Sequence, residues 1–150
     1  MSQEAFLNSE REVLELEVDR EGLLELARKA KENAYAPYSG YKVGAALLDG
    51  KGGVWLGCNV ENAAYGCTIC AERTALLKAV SEGVRDFTAI AIVGGNGTGP
   101  AEPCGQCRQT LVEFSPDMEV VLEDGRGRPI YHKLDEMLPW HFGPMRLKED

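Results

Sequence analysis

Two short cysteine motifs constrain this chain more than any other feature. Cys70-Ala71-Glu72 and Pro103-Cys104-Gly105-Gln106-Cys107 each follow a loop and precede an amphipathic segment. Cysteines three residues apart in the first turn of a helix point the same way, so Cys104 and Cys107 can share one ion. Cys70 can add a third ligand from a facing helix. Because three protein ligands leave one position on zinc open, the motifs predict a catalytic zinc site rather than a structural one.

The residues beside Cys70 indicate what such a site does. Glu72 lies two residues after Cys70 and need not be a ligand, so its carboxylate is free to take a proton from water and pass it to a ring nitrogen and a leaving amine. Zinc deaminases have this combination of Cys-x-Glu with Pro-Cys-x-x-Cys. Three thiolates leave the site with a net negative charge, which helix N-termini and Arg73, one helical turn after Cys70, can offset.

Two other interpretations of the cysteines stay open at this point. Cys67-x-x-Cys70 and Cys104-x-x-Cys107 could form a closed four-cysteine structural zinc site, although 33 residues separate the pairs, against about 15 to 20 in most such modules. That site would also leave the sequence Cys-Ala-Glu-Arg without a role. A redox Cys-x-x-Cys protein is the other alternative.

Charge and composition narrow the class of protein. The net charge is −8, and residues 1–18 form an acidic extension ahead of a domain at residues 19–150 that is nearly balanced. Neither part has the basic surface that nucleic acids require, so we expect a small-molecule substrate. No apolar run approaches the roughly 20 residues that span a bilayer, and the N-terminus lacks a signal pattern, so we expect no membrane partner and a cytoplasmic location. Five cysteines are an odd number, which argues against a disulfide framework.

Apolar periodicity and turn residues predict the order α-β-β-α-β-α-β-β-α. Asp19 caps a first helix that continues to about Tyr35 and that Pro37 ends. The other predicted helices cover about 71–82, 104–114 and 135–138, and the predicted strands cover 43–49, 54–60, 87–93, 118–123 and a short stretch near Ile130. This order predicts one α/β domain with a mixed sheet flanked by helices, in two or three layers.

The motifs resemble those of the small zinc-dependent cytidine deaminase family over about residues 20–142. The resemblance is carried by five segments in the family's order, at 34–39, 43–47, 57–66, 70–75 and 103–109. It implies a cytidine deaminase-like α/β fold and a homotetramer with one zinc ion per subunit. It also implies that Cys67 is not a zinc ligand.

The resemblance assigns substrate contacts as well. Asn59 and Glu61 match the family's residues for the ribose 3′-hydroxyl, and an amide and a carboxylate two residues apart at a strand end do point the same way. Tyr41 stands where the family usually has a phenylalanine beside the base. Phe142 resembles the C-terminal phenylalanine that reaches a neighbouring subunit's site, and Tyr65 resembles the family's interface tyrosine. We expect backbone groups near Ala71 and Cys104 to hold the edge of the pyrimidine.

The expected activity is zinc-dependent hydrolysis of cytidine and 2′-deoxycytidine to the uridines with release of ammonia, a pyrimidine salvage reaction. Deaminases of other aminopyrimidine nucleosides, such as blasticidin S, share the cysteine motifs but are less similar around Asn59 and Glu61. A deaminase of polynucleotides is disfavoured by the acidic charge.

Overall fold

The computed structural model describes residues 18–97 and 99–148. It contains the predicted order of elements, with bounds that differ by a few residues. The helices are α1 (Arg20–Lys31), α2 (Ala71–Ser81), α3 (Gly105–Val112) and α4 (Leu134–Met137). The strands are β1 (Val43–Asp49), β2 (Val54–Cys58), β3 (Phe87–Gly94), β4 (Glu119–Glu123) and β5 (Pro129–Lys133).

The five strands form one sheet in the order β2-β1-β3-β4-β5. β1 is antiparallel to both β2 and β3, β3 is parallel to β4, and β4 is antiparallel to β5. Apolar side chains cover both faces of the sheet: α1 packs on one face and α2, α3 and α4 pack on the other. The prediction of a mixed sheet flanked by helices is confirmed, and the layers number three.

Alternation along β1 explains why both faces are apolar. Ala45 and Leu47 point to the side of α2, whereas Ala46 and Leu48 point to the side of α1. Two glycines let the helices come close to the strands. A Cβ on Gly44 would lie 2.0 Å from the Ala27 carbonyl oxygen of α1, and a Cβ on Gly57 would lie 2.4 Å from the Ala71 carbonyl oxygen of α2. Gly57 therefore sets how deeply the first turn of α2 sits on the sheet.

The first helix is shorter than predicted. Asp19 does cap it, accepting a hydrogen bond from the Gly22 amide at 2.7 Å, but α1 ends at Lys31 rather than near Tyr35. The chain leaves the helix because Tyr35 pairs with the segment that follows β2: its amide donates to the Asn59 carbonyl, and its carbonyl accepts from the Glu61 amide. Pro37 therefore lies beyond the helix and does not end it.

The predicted acidic extension, residues 1–18, lies outside the described residues except for Val18. Its separation from a domain at 19–150 remains a prediction. In the part of the chain that the structure describes, no helix has the length and apolar composition needed to cross a membrane.

Candidate active site

The three predicted zinc ligands lie together at the N-termini of two helices. Cys70 is the N-cap residue of α2, Cys104 is the N-cap residue of α3, and Cys107 lies in the first turn of α3. Their sulfur atoms are all within 4.8 Å of one another, with 3.8 Å between Cys70 and Cys104 and 3.5 Å between Cys104 and Cys107.

These separations fit a zinc ion. Thiolates bound at about 2.3 Å around a tetrahedral centre lie roughly 3.8 Å apart. Cys67 lies in a short 3₁₀ turn, is exposed, and is not part of the sulfur cluster. The cluster therefore offers three ligands, which weighs against the closed four-cysteine site.

The thiols of the cluster differ in acidity. A hydrogen bond from Cys107 lowers the pKa of Cys70 to about 5, burial opposes this change, and Arg73 and Cys104 add to it. The same hydrogen bond, together with burial and the nearby Glu72 carboxylate, raises the pKa of Cys107. Of Cys70 and Cys107, Cys70 is thus the thiol that loses its proton first, and the thiolate is the form that binds a metal.

Glu72 is the second residue of α2 and is 4% exposed. Burial raises the pKa of its carboxyl group, although a hydrogen bond with Cys107 acts in the opposite direction. A carboxyl group with a raised pKa exchanges protons more readily near neutral pH than an ordinary one does. Its position beside the sulfur cluster is the one that a proton carrier needs.

Arg73 contacts the cluster directly. Its Nη2 atom donates to the Cys70 sulfur at 3.5 Å, as the sequence predicted for an arginine one turn after this cysteine. Its Nε atom is buried and has no hydrogen-bond partner among the described residues. The guanidinium is therefore placed to stabilise negative charge on the sulfur.

We expect Arg73→Ala to lower kcat and zinc affinity by about 10- to 100-fold, because residues that hydrogen-bond to metal ligands typically have effects of this size. The melting temperature should change little. Steady-state rates, zinc retention during dialysis and thermal unfolding check this together. Arg126, exposed on the turn between β4 and β5, provides the control Arg126→Ala. Equal turnover by the two variants would exclude a role for Arg73.

A cavity of about 260 Å³ opens beside the sulfur cluster. Six predicted site residues are among those that line it: Tyr41, Asn59, Cys70, Ala71, Glu72 and Cys104. Two backbone hydrogen bonds between Val60 and Ile69 join the segment after β2 to the loop before Cys70, which brings Asn59 to the cavity. The structure thus gathers these six predicted site residues around one space.

Asn59 is buried, and the backbone holds its amide at both ends. Its Oδ1 atom accepts from the Val43 amide at 2.8 Å, and its Nδ2 atom donates to the Tyr41 carbonyl at 2.9 Å. An amide has two lone pairs on its oxygen and two hydrogens on its nitrogen, so each end retains the capacity for one more hydrogen bond. Asn59 can therefore both shape the wall of the cavity and bind a ligand.

Glu61 lies outside this cavity, in an adjoining concavity that it shares with Tyr65, and Thr68 lines both spaces. The Glu61 carboxylate accepts from the Ser39 hydroxyl and from the Ser39 and Tyr38 amides, the last two at 3.0 Å. These hydrogen bonds, chiefly those from Ser39, lower its pKa. Glu61 is therefore a half-buried, charged residue of the adjoining concavity.

The tyrosine at position 41 packs on two glycines. A Cβ on Gly94 would lie 2.7 Å from the Tyr41 hydroxyl oxygen, and a Cβ on Gly95 would lie 2.8 Å from the Cε2 atom of its ring. The ring is 45% exposed and lines the cavity. The glycine pair thus provides the room that the larger aromatic residue needs.

Phe142 is not among the residues that line the cavity. Its side chain is 57% exposed, and its carbonyl oxygen accepts from Gln109 Nε2 at 2.8 Å. Sequence reasoning missed six residues that line the cavity: Val43, Thr68, Ile92, Pro100, Ala101 and Glu102. The last three belong to the Gly-rich loop that leads into Cys104. Their closeness to the Pro-Cys-x-x-Cys motif was the only signal that could have found them.

The chain is similar to cytidine deaminases in both sequence and structure. The family described as "Cytidine and deoxycytidylate deaminase zinc-binding region" matches residues 17–123. A cytidine deaminase of Sporosarcina psychrophila is 47% identical over 134 residues, which cover 89% of this chain and 95% of that protein. A cytidine deaminase of Halalkalibacterium halodurans is 49% identical over 126 residues, covering 83% and 95% of the two chains. The crystal structure of cytidine deaminase from Burkholderia pseudomallei superimposes with a TM-score of 0.79 at 48% identity, over 83% of this chain and 100% of that one.

Proposed function

We infer, because this chain belongs to the family of zinc-binding cytidine and deoxycytidylate deaminases, that it catalyses the hydrolytic deamination of cytidine and 2′-deoxycytidine. The products are uridine or 2′-deoxyuridine and ammonia. The observation that carries this conclusion is the three-sulfur cluster with a buried carboxylate beside it in a single cavity.

Cys70, Cys104 and Cys107 would hold the zinc ion, and two of them, Cys70 and Cys104, also line the cavity. Bound there, zinc acts as a Lewis acid that makes water a stronger acid near neutral pH. The remaining chemistry belongs to the protein. Glu72 takes the proton from water and delivers it to the ring nitrogen beside the amino-bearing carbon, and then relays a proton to the departing amine. The water oxygen replaces the amino group, so atoms and charge balance.

Residues at the sides of the cavity would orient the nucleoside. We assign the pyrimidine edge to backbone groups of Ala71 and Cys104 and the face of the base to Tyr41. Asn59 and Glu61 would bind the ribose 3′-hydroxyl. The free hydrogen-bonding capacity of Asn59 and the position of Glu61 in the adjoining concavity support this assignment. Binding by Glu61 requires a rotation of its side chain or one oxygen shared with Ser39.

Charge around the cavity favours an uncharged nucleoside over a nucleotide. Glu72 and Glu102 line the cavity and Glu61 lines the adjoining concavity, whereas the described residues that line these two spaces include no lysine or arginine. A phosphate group would meet carboxylates without a compensating cation. The same charge pattern disfavours nucleic acid as a substrate.

Our proposals for oligomeric state, cellular location and metabolic role rest on the resemblance to the family. We propose a homotetramer in the cytoplasm that serves pyrimidine salvage, with Phe142 and Tyr65 at contacts between subunits. Both side chains are exposed, at 57% and 75%, so each is accessible for such a contact, which supports this placement.

A substrate panel tests the proposed function. Ultraviolet absorbance should report turnover of cytidine and deoxycytidine, with kcat/KM for the corresponding monophosphates lower by about 100-fold, because unfavourable like-charge contacts cost several kcal/mol. Blasticidin S, in the same panel, tests the alternative activity, which is deamination of another aminopyrimidine nucleoside. Equal turnover of nucleosides and monophosphates would contradict the proposed substrate class, and turnover of blasticidin S alone would replace it.

A further inference from the structure

Arg108 directly follows the last cysteine of the cluster and joins two separate parts of the chain. Its Nε atom donates to the Pro103 carbonyl oxygen at 2.8 Å, and its Nη1 atom donates to the Met137 carbonyl oxygen at 2.7 Å. Pro103 immediately precedes Cys104, and Met137 is the last residue of α4. A single half-buried guanidinium thus connects the turn that carries a cysteine of the cluster to the C-terminal part of the chain.

Gln109, the next residue of α3, holds the same part of the chain at a second point, because it donates to the Phe142 carbonyl oxygen at 2.8 Å. Between these two points, Trp140 has a φ of 58° and its side chain is 99% exposed. This left-handed backbone conformation is costly for a bulky side chain, and exposure leaves no packing to offset the cost. The hydrogen bonds at the two ends of residues 137–142 therefore hold this turn.

The three carbonyl oxygens depend on these side chains. Within the described residues, no backbone amide donates to the oxygens of Pro103, Met137 or Phe142. The Met137 carbonyl also lies at the C-terminus of α4, where a carbonyl has no partner within the helix. A planar guanidinium can donate in two directions at once, which the single ammonium group of a lysine does less well.

We propose that Arg108 is a positioning residue that couples the zinc site to the C-terminal segment, residues 137–142. Its bond to Pro103 fixes the turn that aims the Cys104 sulfur, and its bond to Met137 anchors the segment. Because coupling between two sites is reciprocal, zinc binding and docking of the C-terminal segment stabilise each other. This inference rests on the proposed zinc site at Cys70, Cys104 and Cys107, and it assigns Arg108 a part in retaining the ion.

The test compares the zinc-loaded wild-type protein with Arg108→Ala, Arg108→Lys and Gln109→Ala. The matched control is Arg128→Ala, which removes only an exposed arginine paired with Asp124. Zinc release to a chromogenic chelator should be about 10- to 100-fold faster in Arg108→Ala than in the wild type and the control. Arg108→Lys should fall between them. Gln109→Ala should loosen the segment near Phe142 with a smaller effect on zinc release.

Amide hydrogen exchange provides the second readout, which does not depend on activity. Removing zinc from the wild-type protein should speed exchange across residues 138–142, and Arg108→Ala should show fast exchange there even with zinc bound. Zinc release by Arg108→Ala within twofold of wild type, or wild-type exchange that does not respond to zinc, would overturn the coupling. If Arg108→Ala does not fold, wild-type release rates in Arg108→Lys would overturn it equally. A folded wild-type protein that binds no zinc would overturn the zinc site itself.

Discussion

Replacing Glu72 with glutamine should lower kcat for cytidine by about 100- to 10,000-fold, the range that a positioned proton carrier supplies. Glutamine keeps the size of the side chain and its place under the first turn of α2, but it cannot take a proton from water. Because Glu72 is not one of the three proposed zinc ligands, zinc content should stay at the wild-type level. Steady-state assays measure kcat, and metal analysis of the same sample measures zinc content.

A matched control is available on the same helix. Glu82 is exposed at the far end of α2, and Glu82→Gln removes one carboxylate charge there without touching the cavity. Its kcat should equal that of the wild type within about twofold. Wild-type turnover by Glu72→Gln would show that another group moves the proton, and loss of zinc from that variant would show that Glu72 helps to hold the ion.

The second large effect is expected at Cys70, and Cys67, three residues earlier, provides the control. Cys70→Ser should lower zinc affinity by about 100-fold or more, because each ligand of a site worth about 10 to 16 kcal/mol contributes several kcal/mol. Turnover should fall with zinc occupancy. Cys67→Ser, three residues earlier and outside the sulfur cluster, should keep both zinc and activity. Competition with a chelator of known affinity gives the dissociation constants.

This pair of variants also separates the two kinds of zinc site. Loss of zinc from Cys67→Ser would mean that four thiolates surround the ion and leave no open position for water. Retention of zinc by Cys70→Ser, with Cys104 and Cys107 unchanged, would mean that these two cysteines recruit a ligand other than Cys70.

Much of the fold was predictable because its signals are local. The hairpin turn after Asp49 and the cap at Asp19 both act over a few residues, and the structure contains both of them. The end of α1 was not predictable in this way. It depends on pairing of Tyr35 with Asn59 and Glu61, more than 20 residues away, and this pairing outweighs the helical pattern that continues to about residue 35.

The same distinction between local and long-range signals applies to the residues of the site. Spacing and helix geometry led to Cys70, Cys104, Cys107 and Glu72, and the structure brings their side chains together. The orientation of Glu61 toward Ser39 could not be predicted, because it depends on a loop that precedes β1. Residues 100–102 line the cavity from a glycine-rich loop. Because this loop has no periodic sequence pattern, their contribution could not be predicted either. Packing of Tyr41 on Gly94 and Gly95 joins positions more than 50 residues apart.

Zinc held by Cys70, Cys104 and Cys107 should make this chain active as a cytidine deaminase. The most direct test is to strip the protein of metal, add zinc back in measured steps and follow cytidine deamination. The metal-free protein should be inactive, and activity should rise linearly with added zinc and level off at one zinc ion per chain. Full activity without metal, or one zinc ion bound per chain with no deamination of cytidine or deoxycytidine, would contradict this prediction.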